Sequence, residues 1–278
     1  MQDKITQLCE QAMVMRRLVL QMIYRANSGH PGGSLSSADI VTALYFSVLN
    51  VDPARPDWPE RDRFVLSKGH ACPALYAALA LRGFFPMEEL WTLRKLGSRL
   101  QGHPDRLKTP GVDATTGSLG QGISIALGMA LGAKLHGAKY KIYALLGDGE
   151  QQEGQMWEAA MAAAHYSTDN LIAIVDNNGM QIDGSNDEIM SIKPLPDKWR
   201  AFGWRVLTLN GHDMAEILQA FDEANETKGQ PTILIAHTIK GKGVSFMENQ
   251  HKWHSGAPTK EQFEVAMKEL ETMGVDHG

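Results

Sequence analysis

Two short segments carry oxygen donors in turns that follow apolar runs: Gly147-Asp148-Gly149 after Tyr140 to Leu146, and Asp176-Asn177-Asn178 after Leu171 to Val175. The Asp148 carboxylate and the Asn178 amide oxygen are hard donors suited to Mg²⁺ or Ca²⁺. They are too few to enclose an ion, so ligand phosphates should complete the shell, and a diphosphate is the implied ligand. A lone Gly-Asp-Gly is a common turn after a strand, because Asp and Gly tolerate tight backbone conformations. Its meaning here comes from the second turn, placed where a shared ion needs it. A sharp turn at Asn178-Gly179-Met180 is placed to aim the Met180 carbonyl at the same ion.

Four of the ten histidines, His30, His70, His103 and His254, stand beside Gly, Pro or Ser in expected loops. Neutral imidazoles both donate to and accept from sugar hydroxyls, and they move protons near neutral pH. His136, His165, His212, His237, His251 and His277 lack such settings and read as structural or exposed. Lys68 and Lys240, each next to Gly in a loop after a strand, can supply positive charge to phosphate, whereas Lys242 reads as solvated surface.

The elements that must position these residues follow from periodicity. An Ala-rich helical stretch from Gln155 to Tyr166 separates the two apolar runs, giving strand, helix, strand. Right-handed crossover makes such strands parallel and brings both turns to one carboxyl edge, where α/β proteins bind ligands. Further strands are expected at Arg63 to Leu66, Arg205 to Leu209 and Thr232 to Ala236. Ile5, Leu8, Ala12, Met15, Val19 and Met22 predict an amphipathic helix from about Asp3 to Arg25. Ser34 to Ser37 offer N-caps for a helix running to about Leu49. Other helices are expected through Leu81, over Ala215 to Ala224, and from Lys260 to about Met273, with a Pro-rich connection from Lys193 to Pro196. The loop from Gly97 to Gly117 carries Gly102-His103-Pro104, and long loops within a compact domain are usually functional. Gly120, Ser124, Gly128 and Gly132 form a small-residue stripe that permits close approach of another helix. The expected fold is α/β, a doubly wound, mainly parallel sheet with helices on both faces, in a single domain over residues 1–278.

Composition narrows the function classes. Hydrophobic content of 43% and charged content of 21% are ordinary for a globular chain, and the net charge of −5 carries no polyanion-binding signal, so nucleic acid is not an expected partner. Cys9 and Cys72 are far apart and show no metal-binding spacing, which points to a reducing, cytoplasmic setting. The longest apolar stretch, near Ile123 to Ala133, falls short of the ~20 residues that span a bilayer, so no membrane partner is expected.

Taken in order, Ser28-Gly29-His30-Pro31-Gly32, Ser67-Lys68-Gly69-His70-Ala71, Gly102-His103-Pro104, Gly117-Ser118-Leu119-Gly120-Gln121-Gly122, the Asp148 and Asn178 turns, Lys240-Gly241-Lys242-Gly243 and His254 resemble the N-terminal, diphosphate-binding part of transketolase, a thiamine diphosphate enzyme. The resemblance covers nearly the whole chain. It implies that Asp148, Asn178 and the Met180 carbonyl hold Mg²⁺ or Ca²⁺, and that His70 and Gly149 contact the diphosphate. It further implies that Gly117, Ser118 and Leu119 line the cofactor and that Lys240 lies on the cofactor side. His30, His103 and His254 match histidines that handle the hydroxyls and protons of the sugar, and Glu153 matches a glutamate that communicates between paired active sites. Either Gly33 or Ser34 fills one family position, and Trp253-His254-Ser255-Gly256 carries one residue more than the commoner His-Gly spacing.

What the resemblance does not cover is also informative. Full-length family members run to more than twice this length, and the pyrimidine-binding domain, which brings the cofactor-activating glutamate, and the C-terminal domain are expected on a separate chain in an α₂β₂ heterotetramer. The expected activity is transfer of a two-carbon ketol unit from a ketose to an aldose, catalysed only together with that partner. Two alternatives are the α subunit of a thiamine diphosphate-dependent 2-oxoacid dehydrogenase, which would need a lipoyl-domain docking surface in place of the histidine set, and a noncatalytic transketolase-like subunit.

Overall fold

The five short apolar runs assemble into a single parallel sheet in a computed structural model that describes residues 2–272. Its strands are β1 (Arg63–Leu66), β2 (Ile142–Gly147), β3 (Leu171–Asn177), β4 (Arg205–Asn210) and β5 (Thr232–His237), in the spatial order β1-β2-β3-β5-β4. Every neighbouring pair is parallel, so all five carboxyl ends lie along one edge. β2, β3, β4 and β5 each run one or two residues past their apolar stretches. The ladder continues through Gly147 opposite Asp176 and Asn177 opposite His237. Tyr140, expected in a strand, lies before β2, its ring under the Arg63 guanidinium at 4.4 Å.

Near-continuous apolar strands are what a sheet covered on both faces requires. Phe64, Leu66, Tyr143, Leu145, Ile172, Ile174, Leu234 and Ala236 belong to the core shared with α1 (Gln2–Ala26), α3 (Ala38–Ala43), α4 (Cys72–Arg82), α9 (Met214–Glu226) and α10 (Lys260–Thr272). The alternate residues, among them Val65, Ala144, Leu146, Ala173, Val175 and Ile235, pack against α5 (Gln121–Leu135), α6 (Gly154–His165) and α8 (Leu195–Ala201). This two-sided core is the doubly wound arrangement. Met273, the expected end of the last helix, and His277 lie outside the described residues. Among the described residues no helix is long and apolar enough to cross a membrane.

The segment after α1 departs from expectation. The serines do not cap a helix: α2 (Pro31–Ser36) starts at the proline, whose fixed φ suits a first turn. Ser34 Oγ donates back to His30 O at 2.7 Å and Ser37 Oγ to Gly33 O at 2.6 Å, which competes with regular helix geometry. The run to Leu49 is therefore divided into α2, α3 and a wider turn over Leu44–Val48. Two short helices lacked a strong periodic signal: α7 (Asn186–Ile189), whose Ser185 Oγ accepts from Glu188 N at 3.2 Å, and α8, which begins inside the Pro-rich connection and buries Trp199.

The helical layer beneath the carboxyl edge holds a buried charge cluster. Arg16 of α1 forks onto both oxygens of Asp39 at 3.0 and 2.5 Å, and His212 Nδ1 lies 2.7 Å from Asp39 Oδ2. His212 Nε2 accepts from Ile239 N at 2.8 Å, so the ring joins α3 to the segment that leads to Lys240. His212, expected to be merely structural or exposed, thus has a defined bridging role. Breaking a buried ion pair strands its partner charge, at a cost of roughly 3–5 kcal/mol. Asp39→Ala should lower unfolding free energy in urea by that amount, against less than about 1 kcal/mol for Arg200→Ala, whose Asp197 pair is exposed. Equal effects of the two changes would show that the buried cluster is not a structural tie.

Candidate functional site

The carboxyl ends of β2 and β3 each deliver one turn. Asp148 follows β2, is buried, and accepts Gly149 N–H at 2.8 Å through one oxygen and Gly179 N–H at 2.5 Å through the other. The second bond joins the two turns directly. Asn178 Oδ1 accepts from Met180 N at 3.2 Å, and Met180 O accepts from Lys240 Nζ at 3.3 Å. An ammonium thus already bonds one of the expected metal-binding oxygens. Burial, reinforced by nearby Asp176, raises the Asp148 pKa to about 6, a setting in which an added cation would favour the ionised carboxylate. One carboxylate, one amide oxygen and one carbonyl fit a hard divalent ion whose other ligands are phosphate oxygens.

Beneath these turns, Asp176 at the end of β3 accepts from Lys68 Nζ, Thr238 Oγ1, Ser36 Oγ at 2.5 Å and Asn178 Nδ2 at 3.3 Å. Burial opposes its ionisation, but the Lys68 ammonium and the hydroxyl donors hold its carboxyl below the usual range. Lys68 also donates to Gly33 O at 2.8 Å, so much of its hydrogen-bonding capacity is engaged within the protein, less than a free phosphate-binding lysine would have. A second buried carboxylate, Glu150, accepts from Ser67 Oγ at 2.5 Å, Gly120 N at 2.8 Å and Gly147 N at 2.8 Å. It clamps the turn after β1, the start of α5 and the end of β2. Gly120 has φ 82, and a Cβ there would lie 2.8 Å from Glu153 Cβ, so this helix start admits only glycine without strain.

A cavity of about 370 Å³ opens above this platform. Its walls include His30, His70, His103, His254, Gly117, Leu119, Asp148, Gly149, Glu153, Asn178, Met180 and Lys240. Every residue expected at the site from sequence lies there except Ser118, which is exposed and outside the lining. Of the two candidates for one family position, Gly33 lines the cavity, whereas Ser34 is buried and outside the lining. Gln152, Gln181 and Ile182 also line it without having been singled out; they are ordinary loop residues whose types carry no chemical signal.

Three of the imidazoles form a tight group. Ring centroids are 5.1 Å apart for His30 and His70, 5.5 Å for His30 and His254, and 5.0 Å for His70 and His254. Burial, together with the cations around them, lowers the pKa of His30 to about 4 and of His254 to about 3, and drives His70 well down as well. All three rings are therefore neutral at pH 7. His254 Nδ1 lies 3.1 Å from Lys240 Nζ, while His103 sits on the exposed loop, its backbone carbonyl accepting from buried Tyr76 at 3.2 Å. The Tyr76 hydroxyl, which also donates to Gln101 O at 2.9 Å, and the Thr116 Oγ1 bond to Leu66 O at 2.6 Å tie that loop to α4 and to the sheet.

Comparison with known proteins gives a consistent result. A family profile described as the thiamine diphosphate binding domain of transketolase matches residues 8–277. The chain is 50% identical over 274 residues to the 6-deoxy-6-sulfo-D-fructose transketolase subunit SqwG of Clostridium sp. (strain MSTE9), covering 99% of this chain and 100% of that one. It is 48% identical over 255 residues to an apulose-4-phosphate transketolase subunit of Phocaeicola vulgatus, covering 92% and 90%. The transketolase structure from Campylobacter jejuni superposes with a TM-score of 0.90 at 37% identity, covering 95% of this chain but 42% of that one.

The Glu150 clamp is directly testable. Glu150→Ala leaves three donors without their acceptor, and each buried unpaired donor costs about 1–3 kcal/mol. The variant should unfold at clearly lower urea concentration than the parent. An unchanged midpoint would mean that water replaces the carboxylate at no cost and that the clamp is dispensable.

Proposed function

This chain belongs to the transketolase family, and on that footing we propose that it is the N-terminal, diphosphate-binding subunit of a split transketolase that moves a two-carbon ketol unit from an anionic ketose to an aldose. The observation that carries the proposal is the juxtaposition along one sheet edge of a hard-oxygen set, Asp148, Asn178 and Met180 O, with the neutral imidazoles of His30, His70 and His254. The first suits a metal-bound diphosphate, and the second suits a polyhydroxylated substrate.

When bound, thiamine diphosphate supplies the electron sink for breaking and making the carbon–carbon bond next to a carbonyl. Asp148, Asn178 and the Met180 carbonyl would hold Mg²⁺ or Ca²⁺ beside the diphosphate, with His70, Gly149 and Lys240 on the cofactor side and Gly117 and Leu119 along its length. His30, His103 and His254 would donate to, and accept from, substrate hydroxyls, and their low pKa values leave the rings free of charge while doing so. A sugar with a phosphate or sulfonate accords with the names of the two subunit relatives, one for a sulfosugar and one for a sugar phosphate.

The partner would bring the pyrimidine-binding and C-terminal domains in an α₂β₂ assembly within the cytoplasm. Support for a neighbouring chain comes from α5 and α6. Gly120 and Ser124 of the small-residue stripe pack inside the chain, but Gly128 and Gly132 face open space, with Ile125, Leu135 and Met161 exposed alongside. Glu153, at the N-cap of α6, is solvent-exposed.

Calorimetric titration of the assembled enzyme with thiamine diphosphate and Mg²⁺ tests the assignment. Asp148→Ala should weaken binding roughly a hundredfold or more, because a carboxylate bonded directly to the ion contributes at least as much as the outer groups that tune a site. Met180→Leu should change it by less than about threefold, since the backbone carbonyl survives. Full affinity in Asp148→Ala would place the metal and diphosphate elsewhere.

A further inference from the structure

We propose that Arg94 is a positioning residue for the imidazole cluster: its guanidinium donates to Nδ1 of His30 and fixes that ring as the tautomer whose Nε2–H is left to meet the substrate. This deepens the transketolase reading and rests on it for the identity of the substrate, but not for the state of the ring.

The geometry is specific. Arg94 Nη2 lies 3.2 Å from His30 Nδ1, and Nη1 donates to Ser28 Oγ at 3.0 Å, so one planar fork holds the first and last residues of the Ser28-Gly29-His30 turn. The guanidinium lies flat against Gly102, where a Cβ would stand 2.8 Å from Cζ and 2.9 Å from Nη2. Its backbone is pinned as well: Arg94 has φ 58, and its N–H donates to Leu100 O at 2.8 Å. A non-glycine residue in the left-handed region is uncommon and strained, and it persists where surrounding structure over-determines it.

The chemistry leaves one assignment. A guanidinium has five donors, no acceptor and no accessible deprotonated form. Its contact with Nδ1 therefore requires that nitrogen to carry the lone pair, and the ring proton must sit on Nε2. A ketose presents a carbonyl oxygen and hydroxyl oxygens, which an Nε2–H can meet as donor. The opposite tautomer would offer a lone pair in its place. The groups that face His30 are Arg94, His70, His103, His254 and Lys240, and none is a carboxylate that would favour the protonated ring. Burial is the largest cause of its low pKa and Arg94 the next, so removing the guanidinium should raise the value without restoring the ordinary one.

The test is nitrogen NMR of the full chain labelled at histidine, with the His30 signals assigned by their loss in His30→Gln. The parent should show a single Nε2–H form without titration between about pH 5.5 and about pH 8, where an unperturbed ring would titrate. Arg94→Met should give mixed tautomers and a midpoint raised by about one unit. Gly102→Ala keeps the charge but displaces the guanidinium. It should also mix the tautomers with a smaller rise in midpoint, and it answers the question if Arg94→Met fails to fold. In the assembled enzyme, kcat/KM for ketol transfer should fall about tenfold in Arg94→Met and recover in part in Arg94→Lys, which restores one donor. A parent ring protonated on Nδ1, or an unchanged tautomer and titration in both variants, overturns the proposal whatever the activity. No ketol transfer by the parent enzyme would instead overturn the functional reading and leave the tautomer result standing.

Discussion

A single buried carboxylate organises the site. Asp176 has no solvent-exposed surface, and a charge so placed is tolerated only if donors surround it. The four that do so come from four segments: Ser36 from α2, Lys68 from the turn after β1, Asn178 from the turn after β3, and Thr238 from the turn after β5. Each segment also carries or adjoins a residue of the cavity wall. The desolvation cost of one aspartate is thereby converted into a fixed spacing among Gly33, His70, Asn178 and Lys240. Glu150 repeats the device one strand over, joining Ser67, Gly120 and Gly147.

Above this acidic platform the cavity wall carries Lys68 and Lys240, the carboxylates of Asp148, Glu150 and Glu153, and the imidazoles. Asp148 accepts from Gly179 N at 2.5 Å and ties the two turns together, while Lys240 and Arg94 each contact a histidine Nδ1. A cation next to a buried imidazole suppresses its protonation and orders its hydrogen bonds at the same time. Cations fixed by the protein in this way are in place before a ligand arrives and need no reorganisation when it does.

Much of this was legible in the sequence. Strand runs such as Leu171 to Val175 are nearly unbroken apolar stretches, the signature of a sheet buried on both faces, and the turns after them carry the chemistry. Other features were hidden for identifiable reasons. Ser34, Ser36 and Ser37 look like N-caps, but their hydroxyls bond backwards or to Asp176, a partner 140 residues from Ser36. The start of α8 was read as a connection because Pro194 and Pro196 suggest a break, whereas proline is well suited to a first helical turn. Arg94 belongs to no motif, and its partner His30 is 64 residues away. Glu150 sits one residue from the Gly-Asp-Gly turn, yet nothing in its type separates a structural clamp from a surface glutamate. Local pattern reports the elements and their turns; long-range hydrogen bonds report who holds them.

On this reading the chain contributes the diphosphate and sugar-handling half of a ketol-transfer site that a second chain completes. The most direct measurement is exchange of the C2 proton of thiamine diphosphate in deuterated water, together with ketol transfer from an anionic ketose, using the chain alone, its partner alone and the two mixed. Fast exchange and transfer only in the mixture are the predicted result. Fast exchange and transfer by the purified chain alone would contradict the claim.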